Sequence, residues 1–583
     1  MKRDLTTLTQ KTYDLLVIGG GIFGVCAAWD AALRGLSVAL IDQGDFGHAT
    51  SANCFKIVHG GIRYLQHGDV YRIRESSRER TALLRIAPHL VHPLPIVIPT
   101  YGHGLKGKEF LRTGCLVYDL VTFDRNRSLE DSQQRIPPCR LVSREECLSM
   151  FPGLNRAGLT GAVMFYDGQM RSPSRLALSF LKSAVSAGAD AANYVEATGF
   201  LKRGNRIYGV KAVDRLTGDA LEVQGKMVLN TTGPWAERFL KVGTGLTLRR
   251  PLSFSRDAFF TVARPLVEKC GLALQSASRD PDALFSRGSR HLFAIPWRGH
   301  TLFGVWHVVH SGAPDAFEVT ENNLRGFLSE INEAYPEFGL TLKDVSSWHA
   351  GLVLFGENRP GATDLSYGKR SIVIDHASEH DLEGLISVVG VRYTTARGVA
   401  ENAVDLVFRK FGKKAPRSMT AETPIWGGRI ERFDEFLGQS LSQFPKGFGH
   451  AAASNMIHNY GSEWKGVMRC ADGDPGWAET VGGTSVIKAE VVHAVREEMA
   501  SKLADVVLRR TDMGNAGYPG RTALNQCAEV MARELGWDAG RVESEISETE
   551  RLFPGPIHHD RPLAATAPSS IASKAVGDRE PKA

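Results

Sequence analysis

The stretch that decides the fold is Tyr13-Asp14-Leu15-Leu16-Val17-Ile18-Gly19-Gly20-Gly21-Ile22-Phe23-Gly24. Its first six residues form a short apolar run, the pattern of a parallel strand buried on both faces. The run stops on three glycines, and residues 22–35 then have the Ala-rich spacing of a helix. Residues 36–42 are a second apolar run that ends on an acid. Strand, glycine turn, helix, strand and acid make the opening unit of a dinucleotide-binding fold. Gly19, Gly21 and Gly24 form its G-x-G-x-x-G motif. The first glycine permits a tight turn, the second lets backbone approach a pyrophosphate, and the third packs helix on strand. The helix N-terminus supplies N–H groups and a positive dipole end. Asp42, about 20 residues on, is placed to bond ribose hydroxyls. The motif does not decide which dinucleotide is held.

The rest of the chain sets limits on that reading. With 583 residues, 43% hydrophobic and 23% charged, it has the composition of a soluble globular protein, and disorder throughout is excluded. At about 150 residues per domain the length predicts two to four domains. The net charge of +6 is dispersed, and no basic stretch is interleaved with aromatics, so no nucleic-acid partner is expected. The eight Cys include no C-x-x-C pair, which argues against zinc or thioredoxin-like chemistry and predicts no metal site. No apolar run reaches the ~18–20 residues of a membrane span. The N-terminus lacks the pattern of a signal peptide. A cytoplasmic location follows as the expectation.

Further along, residues 174–188 read as a helix and 192–198 as a strand. Residues 206–213 and 220–224 read as a hairpin, and 226–230 as another short buried strand. Between 251 and 348 the apolar runs 258–262, 291–295 and 301–307 are aromatic and strand-like, an antiparallel sheet over a pocket. Residues 385–389 return as a strand and 396–411 as a helix. After Pro424 the texture turns helical, with 487–509 and 522–535 as helices. Residues 246–252 are basic and apolar, read as a linker in preference to a membrane-surface patch. Residues 554–583 are expected to be a disordered tail.

A second motif narrows the choice. Ala49-Thr50-Ser51-Ala52-Asn53 precedes Lys56-Ile57-Val58-His59-Gly60-Gly61-Ile62-Arg63-Tyr64-Leu65. Small hydroxyl residues and a glycine pair let backbone lie against a flat ring. Later come Asn230-Thr231-Thr232-Gly233-Pro234-Trp235 and Gly390-Val391-Arg392-Tyr393-Thr394-Thr395. Together these stretches resemble the FAD-dependent, quinone-linked glycerol-3-phosphate dehydrogenases, within the D-amino-acid-oxidase-like flavoproteins. Residues 489–510 resemble the same family's helical C-terminal domain.

The resemblance implies an α/β + α fold: a Rossmann-like FAD-binding domain, an interleaved antiparallel-sheet substrate domain and a C-terminal helical domain. The expected segments are 12–75, 155–250 and 350–415 for FAD, 76–154 and 251–349 for substrate, and 420–553 for the helices. It implies that Gly19, Gly21 and Gly24 hold the pyrophosphate and Asp42 the ribose. Thr50, Ser51, Asn53, Lys56, Ile57 and His59 would line the flavin, with Val195 at the adenine. Thr232 and Gly233 would pass the ribityl chain, and Gly390, Arg392 and Thr394 would meet the ring edge. The implied reaction is oxidation of a CH–OH group of glycerol 3-phosphate or a related polyol phosphate to a ketone, by hydride transfer to flavin N5. Electrons would pass to quinone or another acceptor. A peripheral position on the inner face of a membrane and a homodimer are further family expectations.

Departures from the family keep the substrate open. A Ser-Gly-Val-Arg-Pro-Leu stretch that brings an arginine to the substrate phosphate is here Ala350-Gly351-Leu352-Val353-Leu354-Phe355, with Val353 at the arginine position. A Gly-Thr-Thr-Asp stretch is Gly304-Val305-Trp306-His307. A Lys-Gly-Ser-His stretch that carries the base falls at about Ser255-Arg256-Asp257-Ala258, its His near Ala258. Arg256 or Arg359 is placed to replace the missing cation. Arg63, Tyr64, Arg392, Trp306 and His349 are the substrate-binding candidates. His307 is the first candidate base, ahead of His349 and Asp257, with Arg63 and Arg392 as anchors. Phe254, Phe259, Phe293, Trp297, Trp306, Trp348 and Phe355 make this region aromatic, by core packing or as a greasier pocket. Two alternatives stay open: a flavin oxidase or dehydrogenase of a non-phosphorylated alcohol, amine or amino acid, and a catalytically silent flavoprotein acting as a binding module.

Overall fold

The computed structural model describes residues 1–103, 107–275, 291–310, 312–316, 318–356 and 370–553. The expected tail and Arg359 lie outside them.

Two sheets organise the chain. At the centre of the first, Thr12–Ile18 runs parallel to Val38–Ile41 on one side and to the end of Ala220–Asn230 on the other. Leu385–Val389 and Asp190–Ala192 extend the sheet outward, both in parallel. These strands are buried because helices cover them: Ile22–Leu33 packs with Pro173–Ser186 and Ala396–Lys410. Trp29 meets Phe180 edge to face, with ring centroids 5.4 Å apart.

The hairpin forms, but residues 226–230 are not a separate strand. Ala220–Asn230 is continuous, antiparallel to Arg206–Asp214 in its first half and parallel to Thr12–Ile18 in its second. It thereby delivers Asn230 beside Ile18, where the glycine turn starts. The strand expected over 192–198 is broken at Tyr194, which takes φ 55°. Residues 246–252 act as a linker, with Leu248 buried and Leu246 and Leu252 packed on the core.

In the second sheet Phe254–Val262 lies antiparallel between Val345–Leu354 and His300–His310. The order continues through His291–Trp297, Gly271–Gln275, Val91–Tyr101 and Leu159–Met170. Its far face packs on the helix Glu321–Ala334 through Phe260, Phe303 and Phe327. Leu159–Met170, expected in the 155–250 segment, belongs here, as does all of Val345–Leu354, which a boundary at 350 would split. Ladder pairing, invisible in the linear pattern, decides both.

The C-terminal region is helical. The single helix expected over 487–509 stops at Glu498, and Met499 turns left-handed at φ 56°. A short turn, Leu503–Asp505, leads into a π-helix, Val506–Arg510. Among the described residues no helix is long and apolar enough to cross a membrane. No cluster of three or more His, Cys, Asp or Glu suits a metal among them either.

Candidate functional site

The glycine turn shapes the floor of the site. The Gly20 N–H donates to Asp42 Oδ2 at 2.6 Å, and the Gly44 N–H to Asp42 Oδ1 at 2.8 Å. Burial pushes the Asp42 carboxyl up, while His48 and these N–H groups pull it down. Gly19 stands at φ +101°, and a Cβ there would lie 2.7 Å from the Thr231 carbonyl oxygen. A Cβ on Gly24 would lie 1.9 Å from the Gly19 carbonyl oxygen, so only glycine lets the helix sit this close. Gly21 caps Ile22–Leu33 without a side-chain bond, and the Ile22 N–H donates to Ser51 Oγ at 2.9 Å.

Over this floor runs a cavity of about 840 Å³. It follows the carboxyl edge of the first sheet, where ligands bind in open α/β folds. Asp42, Tyr194, Glu196 and Arg215 wall one end. Gly19, Gly21, Ser51, Thr232 and Gly233 line the middle, and Thr50, Val353, Gly390 and Arg392 the other end. A cleft along this edge with a glycine-capped helix N-terminus at its middle fits a dinucleotide.

Several expected cofactor residues support the wall without forming it. Gly24 lies beneath the turn. The Val195 N–H is taken by the Asp42 carbonyl at 2.7 Å and its side chain is buried in the core, so neighbouring Tyr194, Glu196 and Ala197 line the cavity instead. Asn53 is buried, donating to the Ala49 carbonyl at 3.0 Å and facing His349 Nδ1 at 3.1 Å. Ile57 pairs with Gln169 in the second sheet. The His59 N–H donates to Thr394 Oγ1 at 2.9 Å, and its ring meets Asp167 at 3.2 Å. Lys56 turns away from the cleft: its ammonium lies 4.5 Å from the Phe259 ring centroid and 4.6 Å from that of Trp297. Burial there pulls the Lys56 amine down to about 8.

Strand alternation sorts the substrate candidates. Asp257 is directly opposite both His307 and Gly351, and opposed residues share a face. A Cβ on Gly351 would lie 3.1 Å from the Thr50 Cα, so this face meets the cavity wall. Here His307 Nδ1 lies 2.8 Å from Asp257 Oδ1, which also accepts from Ser255 Oγ at 2.6 Å. Trp306, one residue before His307, points the other way and stacks on Phe327 at 5.6 Å. It is no substrate ligand. Arg256 and Ala258 share that far face: Arg256 donates to Asn323 at 3.1 Å and does not replace the missing cation. Ala258, read as the position of the family's His, is buried on that far face, whereas Asp257 lies on the near face.

His349 lies on the near face but is locked, stacked on Phe259 with centroids 4.8 Å apart. Burial, with Lys56 adding to it, holds its ring well below the ordinary range and therefore neutral. Arg392 reaches the cavity but is engaged, donating to Glu75 Oε2 at 2.8 Å and Ser76 Oγ at 2.7 Å. Tyr64 carries the Arg72 guanidinium 4.3 Å and the Arg392 guanidinium 5.1 Å from its ring centroid. Arg63 is half-buried on the next turn, Ile62–His67. Sequence reasoning missed Tyr194, Glu196, Arg215 and Lys502 on the cavity wall. Tyr194, Glu196 and Arg215 belong to no motif, and Lys502, within the 489–510 stretch, comes from the C-terminal domain.

Comparison with known proteins agrees with this geometry. Residues 14–406 match the family described as FAD dependent oxidoreductase, and 418–542 the C-terminal domain of alpha-glycerophosphate oxidase. A glycerol-3-phosphate dehydrogenase of Synechocystis sp. is 30% identical, over 94% of this chain and 97% of its own. The mitochondrial glycerol-3-phosphate dehydrogenase of Bos taurus is 31% identical, over 94% and 74%. The solved glycerol-3-phosphate dehydrogenase of Bacillus halodurans, complexed with FAD, superposes with a TM-score of 0.72 at 25% identity, over 93% and 95%. The chain belongs to the glycerol-3-phosphate dehydrogenase family of FAD-dependent oxidoreductases, with FAD as its cofactor.

Proposed function

We propose that the protein oxidises the secondary alcohol of a polyol phosphate, glycerol 3-phosphate first among them, to the ketone and passes the electrons to a membrane quinone. The observation that carries this reading is the His307–Asp257 pair on the sheet face that meets Thr50. Bound FAD supplies a two-electron hydride acceptor. His307 takes the hydroxyl proton. Its Nδ1–H donates to Asp257, which fixes the tautomer with Nε2 as the base and stabilises the imidazolium formed. Ser255 holds Asp257 in turn.

Arg392 and Arg63 anchor the phosphate. The substrate anion displaces Glu75 from Arg392, an exchange of one carboxylate partner for a charge-assisted pair of the same kind. Gly19, Gly21 and the N-terminus of Ile22–Leu33 hold the cofactor pyrophosphate, with Asp42 on the ribose side. Thr50, Ser51, Thr232, Gly233 and Gly390 line its flavin half. The helix Lys108–Val121 supports the membrane reading. Leu116, Leu120 and nearby Phe123 are exposed, and Lys108, Arg112 and Arg127 stand in the same segment with Glu109, Asp119 and Asp124, so the exposed apolar side chains carry the membrane reading.

A second reading, oxidation of a non-phosphorylated substrate, is favoured by Val353 in the cavity wall and by the pairing of Arg392 with Glu75. Anaerobic mixing of the yellow holoenzyme with glycerol 3-phosphate separates the two. The first expects bleaching of the oxidised flavin band, slowed about 100-fold or more in His307→Ala. Bleaching by other alcohols or amines only, at millimolar concentration, would establish the second.

A further inference from the structure

The end of the cavity beyond Asp42 is closed from outside the dinucleotide-binding unit. Lys502 lies in the turn between Lys488–Glu498 and Leu503–Asp505, and it lines this wall with Tyr194, Glu196 and Arg215. Its side chain is 33% exposed. The ammonium stands 5.8 Å from the Tyr194 ring centroid, and its closest carboxylate, Glu548, is 3.7 Å away. Both cations here are ion-paired, Lys502 loosely with Glu548 and Arg215 more closely with Glu196 at 2.8 Å.

The turn that presents Lys502 is clamped to the same wall. Asp505 Oδ2 accepts the Lys502 N–H at 2.9 Å, and Asp505 Oδ1 accepts the Tyr194 hydroxyl at 2.6 Å. The Met499 carbonyl, freed where the helix ends, accepts Asn193 Nδ2 at 2.9 Å. On the loop after Asp42, Asp45 accepts Arg509 Nε at 2.6 Å and Arg510 Nη1 and Nη2 at 2.7 and 2.6 Å. The Asp45 and Asp505 side chains are fully buried. These bonds come from the π-helix and the turn before it, and π-bulges recur where a backbone must re-aim side chains for function. Helix and cofactor wall therefore form one rigid unit.

We infer that the C-terminal helical domain is part of the cofactor site. Lys502 binds the adenosine-monophosphate half of FAD, and the Asp45 and Asp505 clamps position it. The inference rests on the FAD reading of the cavity. It predicts that recognition of this half depends on residues far along the chain from the glycine motif, while recognition of the flavin half does not.

FMN lacks the adenosine half, so it serves as the internal control. FAD and FMN are titrated into apoprotein, and binding is read from flavin fluorescence. In Lys502→Ala the FAD Kd is expected to rise about 10-fold, and further in Lys502→Glu, with the FMN Kd unchanged. Tyr194→Phe, which removes only the hydroxyl on Asp505, is expected to raise the FAD Kd alone by about 3-fold. Equal FAD affinity in parent and Lys502 variants would overturn the inference, and so would a parallel loss of FAD and FMN. A parent protein that binds neither flavin would instead overturn the FAD reading itself.

Discussion

Val353 illustrates how much a single residue decides. It lines the cavity, at the position where the resemblance implies an arginine for the substrate phosphate. A charge-assisted hydrogen bond is worth about 1.5–3 kcal/mol, so restoring it is expected to lower KM about 10- to 100-fold. Val353→Arg is therefore expected to lower KM for glycerol 3-phosphate by that factor and to leave kcat within a few-fold. Steady-state kinetics check it, and an unchanged KM means that no phosphate binds beside residue 353. At this scale the sequence was most legible where backbone geometry admits one residue type. Gly19 and Gly24 are such positions, because a Cβ at either would strike backbone. It was least legible where function depends on a face. Trp306 and His307 are neighbours in one motif, yet only the ladder shows that they point to opposite sides of the sheet.

Elements carry the next level of decision. Residues 487–509 contain no Gly or Pro, so no local breaker marks a stop. The break at Met499 is tertiary: its carbonyl leaves the helix for Asn193, and the Ala500 N–H closes onto the Ala494 carbonyl. The helix Lys108–Val121 makes the opposite point, since its outward apolar side is unexplained by the described packing. It buries Cys115 and Tyr118 while leaving Leu116, Val117 and Leu120 at 61%, 44% and 73% exposure. Phe123, just past its end, is 78% exposed. Full burial of a Leu or Phe side chain is worth about 1.5–3 kcal/mol. The double substitution Leu120→Asp with Phe123→Asp is therefore expected to cut binding to vesicles containing anionic phospholipid at least 10-fold. Cosedimentation measures it, with flavin content as the check on folding, and undiminished binding would place the membrane contact elsewhere.

At the scale of the whole molecule, the motifs gave the number of units but not how they interlock, because pairing partners far apart in sequence leave no periodic signal. The junction of the helical domain with the first sheet shows what that interlocking means for stability. Glu498 is fully buried between Arg175 and Lys182, the latter at 2.9 Å. Burial pushes its carboxyl up, but the two cations outweigh it and leave it well below the ordinary range. Its contribution is present above the unfolded value, about 4.3, and is lost as pH falls through the lower folded value. Glu490, 1% exposed, is the opposite case: burial raises it to about 8, and the Ile487 N–H pulls it back only in part. Folded protein holds this proton where unfolded protein has released it, so stability is lost as pH rises from about 4.3 towards 8. Glu490→Gln keeps an acceptor for the Ile487 N–H and cannot ionise. It is expected to remove that loss, matching the parent near pH 4.5 and exceeding it by a few kcal/mol at pH 8. Glu498→Gln leaves Arg175 and Lys182 without their counter-ion and is expected to cost about 3–5 kcal/mol at neutral pH. Its deficit narrows only below about pH 4.3, where the unfolded parent takes up a proton that folded Glu498 does not. Urea unfolding of holoenzyme at about pH 3.5, 4.5, 7 and 8 measures both, the lowest pH reading the Glu498 effect. A Glu490→Gln stability that tracks the parent at every pH would show that Glu490 keeps its charge in the fold.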